Sequence, residues 1–151
     1  MGNIFNDDFQ EFLLALNKSE VKYVLVGGYS VIYHGFPRTT GDLDIFVEVS
    51  QNNYQRLCKA FLLFQMPLFE MTEENFLNNS KMDVFSFGRS PVSVEILKSI
   101  SGITFKEVYS NAIDTVVENV PIKIINLKDL KLNKKSSGRA KVINDLENLK
   151  E

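Results

Sequence analysis

The chain has 151 residues, 44% of them hydrophobic and 24% charged, with a net charge of −2 from 17 basic and 19 acidic side chains. At roughly 100–200 residues per domain, that supports one compact domain with its own core, and the apolar fraction argues against wholesale disorder. No apolar run approaches the roughly 18 residues of a membrane span. The N-terminal MGNIFNDDFQEF carries acids where a signal peptide carries Lys or Arg, and the single cysteine, Cys58, can form no internal disulfide. The expectation is a cytoplasmic protein with no membrane partner.

Asp7 to Lys18 reads as a helix, with Phe9, Phe12, Leu13 and Leu16 at three- and four-residue spacing and Asn6 or Asp7 as its cap. Val21–Val26 is a short β-branched run, a buried strand ended by Gly27-Gly28, and Tyr29–His34 makes two helical turns stopped by Gly35 and Pro37. Asp42–Val49 alternates strictly, so Asp42, Asp44, Phe46 and Glu48 take one face of a strand and Leu43, Ile45, Val47 and Val49 the other. Asn52–Phe64 is a helix, and Thr72 caps a short helix to Asn78. Met82–Phe87 and Val92–Leu97 form a hairpin around Gly88-Arg89-Ser90-Pro91. Thr104 and Glu107 have capping-box spacing. Thr115–Val117 and Ile122–Ile125 pair around Glu118-Asn119. Asn126 caps a helix through Lys135, Gly138 breaks it, and Arg139–Lys150 is the last helix. The fold class is α+β: a mixed sheet of about four to six strands flanked by helices, one domain with its core at about 19–125 and a helical C-terminal appendage at about 126–151.

Charge is uneven. Pro121–Lys141 holds seven basic residues (Lys123, Lys128, Lys131, Lys134, Lys135, Arg139 and Lys141) and one acid, Asp129, on an otherwise acidic chain. Such a segment is either a solvated helix surface or an anion-binding face.

The chemistry concentrates between Tyr23 and Glu48. Gly27 and Gly28 stand where a strand turns into a helix. Glycines there make a plain turn, or let backbone N–H groups approach a phosphate, with Ser30 adding a hydroxyl. Asp42 and Asp44 share a strand face, where two carboxylates repel unless a cation neutralises them; oxygen ligands of that kind suit Mg²⁺ or Mn²⁺. Glu95 leaves its strand opposite Val94 and Ile96 and is the expected third acid, with Asp83 as its competitor. Arg38, four residues before Asp42, has the fork to reach a triphosphate. His34, the single histidine, has no spaced partner for a zinc site or a triad and reads as a helix-end surface residue. Cys58 falls on the apolar stripe of its helix.

Strand–Gly27-Gly28–Ser30–helix, then Asp42-Leu43-Asp44, then a later strand acid, resembles the DNA polymerase β-like nucleotidyltransferase superfamily. Within it, RTTGDLDIFVE, VEILKSISGITF and INLKDLKLNKKSSGRAKVINDLENL are together similar to the AbiEii/AbiGii toxin-type nucleotidyltransferases of bacteria and archaea. The resemblance implies the superfamily's polymerase β-like fold and transfer of a nucleoside monophosphate from an NTP, with release of pyrophosphate. It implies Asp42, Asp44 and Glu95 as metal-binding and catalytic, and Gly27, Gly28, Ser30 and Arg38 around the nucleotide. Lys134 and Arg139 match family positions expected to contact phosphate or acceptor. An acceptor such as tRNA or another RNA, or a protein, and a cognate antitoxin protein are the implied partners. Relatives commonly carry Asp where this chain has Glu95, and an Asp where Val142 stands. The alternative is a degenerate nucleotidyltransferase-fold module that binds a nucleotide or partner protein without turnover.

Overall fold

The computed structural model describes residues 6–89 and 92–137. Helix α1, Asp7–Lys18, starts where Asn6 Oδ1 accepts from the Phe9 amide at 2.8 Å, and it buries Phe9, Phe12, Leu13 and Leu16 as its spacing requires. Strand β1, Tyr23–Val26, is buried throughout and runs without a loop into α2, Gly27–Tyr33. The two glycines thus form the first turn of the helix rather than a break before it. Strand β2, Asp42–Val47, leads to α3, Gln51–Phe64, capped by the Ser50 hydroxyl, and then to the short α4, Glu73–Leu77, capped by Thr72.

Strands β3, Val84–Arg89, and β4, Val92–Leu97, pair antiparallel. Gly88 and Arg89 belong to the strand instead of the four-residue turn their composition suggested, and Ser90-Pro91 lie outside the described residues. Helix α5, Phe105–Asn111, carries the complete Thr104–Glu107 capping box. Strands β5, Ile113–Val117, and β6, Val120–Ile124, close on Glu118 and Asn119, both at positive φ as a tight two-residue hairpin turn demands. Helix α6, Leu127–Ser137, begins at Asn126, whose side chain accepts from the Asp129 amide at 2.7 Å. Gly138 and the expected helix Arg139–Lys150 lie outside the described residues.

The six strands form one open mixed sheet in the order β3-β4-β2-β1-β6-β5. Strands β1 and β2 are antiparallel, while β2–β4 and β1–β6 are parallel. The fold is therefore α+β, with six helices among the described residues. On one face Leu25, Leu43, Ile45, Val47, Phe85, Phe87, Val94 and Ile96 join the apolar faces of α1 and α3, where Phe12 meets Phe61 edge-on at 5.6 Å between ring centroids. The other face changes character along the strands. Val24, Val26 and Phe46 are covered by Val108 of α5, Ile125 and Leu130 of α6, with Phe105 edge-on to Phe46. Beyond that apolar patch the same face carries Asp44 and Glu95, then Asp42 and Ser93. Leu130 of α6 is fully buried there.

Asn53 is a buried polar tie between helix and sheet. Its side chain accepts from the Lys22 amide at 2.8 Å and donates to the carbonyls of Lys22 and Glu48, holding the start of α3 against the ends of β1 and β2. No helix among the described residues is long and apolar enough to cross a membrane.

Candidate active site

Strand register assembles the site. Parallel pairing of β2 with β4 sets Asp44 beside Glu95 and Asp42 beside Ser93, while the antiparallel pair β1–β2 sets Val26 beside Asp44. Side chains at paired positions point to the same face, so Asp42, Asp44 and Glu95 share one surface at the end of β1 where α2 begins. Asp83 precedes β3 in the register of Phe85 and Phe87, whose side chains enter the opposite core, and its carbonyl accepts from the Lys98 amide at 2.8 Å. Glu95, not Asp83, is the acid next to Asp44.

Gly27 explains itself by what it touches. At φ +71° it has a backbone that disfavours any side chain, and a Cβ built there would overlap the Asp44 carboxylate. At Gly28 a Cβ would lie 2.5 Å from the Thr40 Oγ1 atom. Both glycines admit neighbouring side chains into space a methyl group would fill. Ser30 serves the same turn from inside: it is fully buried, and its hydroxyl donates to the Gly27 carbonyl at 2.6 Å. That bond ties Ser30 to the first turn of α2.

The electrostatics centre on Asp44. Burial, then the charges of Glu95 and Asp42, push its carboxyl up to about 7, and Lys134 and Arg38 pull it partly back. Asp42 Oδ1 accepts from Ser93 Oγ at 2.5 Å, and Glu95 Oε1 from Ser86 Oγ at 3.3 Å. Burial, then the Asp42 charge, push the Tyr29 phenol up; its ring packs edge-on to Phe9 in the α1 core. Among the described residues no three His, Cys, Asp or Glu side chains are gathered as a ready metal-binding group. The donors nonetheless suit Mg²⁺ or Mn²⁺ chemically: three carboxylates on one face, one of them desolvated and short of positive charge.

No protein-family model and no curated protein matches the chain.

Lys134, matched by the resemblance to a phosphate- or acceptor-contacting position, is not on the solvated side of α6. Only 6% of its surface is exposed, and its charge acts on Asp44, which places it on the acidic side of α6, while its neighbour Lys135 is exposed. Arg38 is half-buried and acts on the same carboxylate. Arg139 and Lys141 lie outside the described residues. His34 stands at the C-terminal end of α2, half-buried, where its Nε2 donates to the Ile125 carbonyl at 2.7 Å and ties that helix end to the segment between β6 and α6. Cys58 is half-buried against the α3 side of the core. Ser93 and Thr40 were not singled out from sequence. Ser93 had a signal, since it stands two residues before Glu95 as Asp42 stands two before Asp44.

Proposed function

We propose that this chain is a metal-dependent nucleotidyltransferase that moves a nucleoside monophosphate from an NTP to a hydroxyl acceptor on a polymerase β-like fold. The observation that carries the reading is the register: Asp42, Asp44 and Glu95 on one face of neighbouring parallel strands, with Gly27 in contact with Asp44 at the strand–helix turn. A purely structural sheet gains nothing from placing three mutually repelling acids there.

In the proposed reaction a bond forms between the acceptor oxygen and the α-phosphorus while the bond from that phosphorus to the bridging oxygen of the β-phosphate breaks. Pyrophosphate leaves. Asp42, Asp44 and Glu95 would hold Mg²⁺ or Mn²⁺, which when bound neutralises charge on the triphosphate and favours ionisation of the attacking hydroxyl. Glu95, half-buried on the strand beside Asp44, takes the acceptor proton. Lys134 and Arg38, whose charges already act on Asp44, supply cationic contacts to the phosphates. The resemblance assigns Gly27, Gly28 and Ser30 to the nucleotide; Asp44 and Thr40 fill the space beside the two glycines, so the contact they offer a phosphate is through backbone N–H groups at the start of α2. By its resemblance to AbiEii/AbiGii toxin-type enzymes, the acceptor is RNA, tRNA foremost, or a protein, the setting is cytoplasmic, and a cognate antitoxin protein is the regulatory partner.

A binding module without turnover is the second reading, and it draws on one observation: the three acids are not gathered into a closed metal group. Incubating the protein with Mg²⁺, each NTP labelled at the α-phosphate, and total RNA or protein separates the two. Label transfer that Asp44→Ala abolishes supports the enzyme. Tight NTP binding that ignores Mg²⁺, with no transfer, supports the module.

A further inference from the structure

We propose that Ser93 is a positioning residue that aims Asp42 at the metal, an inference that rests on the nucleotidyltransferase reading. The register that pairs β2 with β4 sets Ser93 directly beside Asp42, and its hydroxyl donates to Asp42 Oδ1 at 2.5 Å. A hydroxyl-to-carboxylate bond that short is charge-assisted and strong. It occupies one carboxylate oxygen and leaves Oδ2 for a cation.

Asp42 needs this restraint. Asp44 stands two residues away on the same face, and Glu95 stands beside Asp44 on the next strand. Repulsion from both favours an Asp42 rotamer turned out to solvent, where its oxygens would leave the metal position. Ser93 opposes that rotation from the strand on the far side of Asp42 from β1. Carboxylates that bind metals are commonly oriented in this way by a hydrogen-bonding neighbour.

A second serine supplies the internal comparison. Ser86, on the edge strand β3, is paired with Glu95 and donates to Glu95 Oε1 at 3.3 Å, a long bond at an exposed position. Its hold on Glu95 is weak, so Glu95 is free to swing toward a metal or an acceptor proton. The two hydroxyls do different work: Ser93 fixes its acid, and Ser86 releases its own.

Mn²⁺ titration followed by electron paramagnetic resonance, with and without a non-hydrolysable NTP analogue, tests the assignment without relying on turnover. In Ser93→Ala, Mn²⁺ affinity should fall by roughly 10- to 100-fold, with the melting temperature of the metal-free protein within a few degrees of wild type. Ser93→Thr keeps the hydroxyl on a strand that accepts β-branched residues and should recover affinity to within about threefold of wild type. Ser86→Ala should lose less than about threefold on the same scale. Ser93→Ala binding Mn²⁺ as wild type does, or Ser93→Thr failing as completely as Ser93→Ala, overturns the proposal while leaving the enzymatic reading in place. A wild-type protein that binds no Mn²⁺ even with the analogue overturns the enzymatic reading itself, and Ser93's role with it.

Discussion

Gly27 and Asp44 occupy each other's space: the Cβ that glycine lacks would fall within the Asp44 carboxylate where β1 turns into α2. The positive φ at Gly27 adds a strain of about 1 kcal/mol or more for any L side chain. Gly27→Ala should therefore displace Asp44 and lower NTP turnover at least about 100-fold, with a loss of roughly 2–3 kcal/mol of stability. Gly35→Ala, at φ +102° with open space around its Cβ position, is the matched control for backbone strain alone. Equal turnover losses in the two variants, in urea-calibrated samples of equal folded fraction, would mean that the Asp44 contact is not what Gly27 protects.

Asp44 makes stability depend on pH in an unusual direction. Its carboxyl moves from 3.8 to about 7 on folding, so between those values the folded protein holds a proton that the unfolded chain has released. Stability must then fall as pH rises from about 4 to about 7, by on the order of 3–4 kcal/mol from this group. Asp44→Asn removes the effect. The variant should overtake wild type progressively over that window in denaturant melts, and the difference should level off above about pH 7.5. Parallel curves for the two proteins would show that Asp44 is not strained by its surroundings.

Adjacent lysines on α6 should behave unlike each other. Lys134 is buried with its charge on Asp44, and Lys135 is exposed. Lys134→Met should weaken Mg²⁺–NTP binding by about tenfold or more, measured by calorimetry, because a phosphate contact is lost from a desolvated site. Lys135→Glu should leave that binding within about twofold and act, if at all, on an RNA acceptor, reducing the salt dependence of its modification. Identical effects on NTP affinity would return Lys134 to an ordinary solvated face.

Asn53 offers a test of the frame behind the site. Its side chain satisfies the Lys22 amide and carbonyl and the Glu48 carbonyl where β1 and β2 meet α3. Asn53→Ala strands those groups and should cost about 3 kcal/mol, a fall of roughly 6–12 °C in melting temperature. Asn53→Asp keeps the acceptor but turns a buried carboxylate oxygen onto the Lys22 and Glu48 carbonyls, so it should cost at least as much as Asn53→Ala. A melting temperature unchanged in Asn53→Ala would mean that water replaces the amide without penalty.

Local pattern carried much of this site. The alternation of Asp42–Val47 foretold two faces of different chemistry, and both are present, with Leu43 and Ile45 in one core and Phe46 in the other. The alternation of Val94, Glu95 and Ile96 likewise named the acid that ends up beside Asp44. What local pattern cannot carry is pairing between distant strands. Nothing within Asp42–Val47 or Val92–Leu97 signals that they run parallel and in the register that joins Ser93 to Asp42. Glycine's poor helix propensity pointed to a break after Val26, but the positive φ at Gly27 lets the strand turn directly into helix. The basic run around Lys134 left a solvated surface and an anion-binding face both open, because composition cannot say which lysine the fold buries near Asp44.

Whether this acidic face transfers a nucleotide, as proposed, is read most directly from the fate of two labels. With Mg²⁺, RNA and an NTP labelled at either the α- or the γ-phosphate, wild type should attach the α-label to an acceptor and release the γ-label as pyrophosphate, one for one. Asp42→Asn/Asp44→Asn, folded and melting higher than wild type without metal, should do neither. Attachment of the γ-label would identify a phosphoryl transferase instead, and undiminished α-label transfer by the double variant would contradict the assignment of these carboxylates.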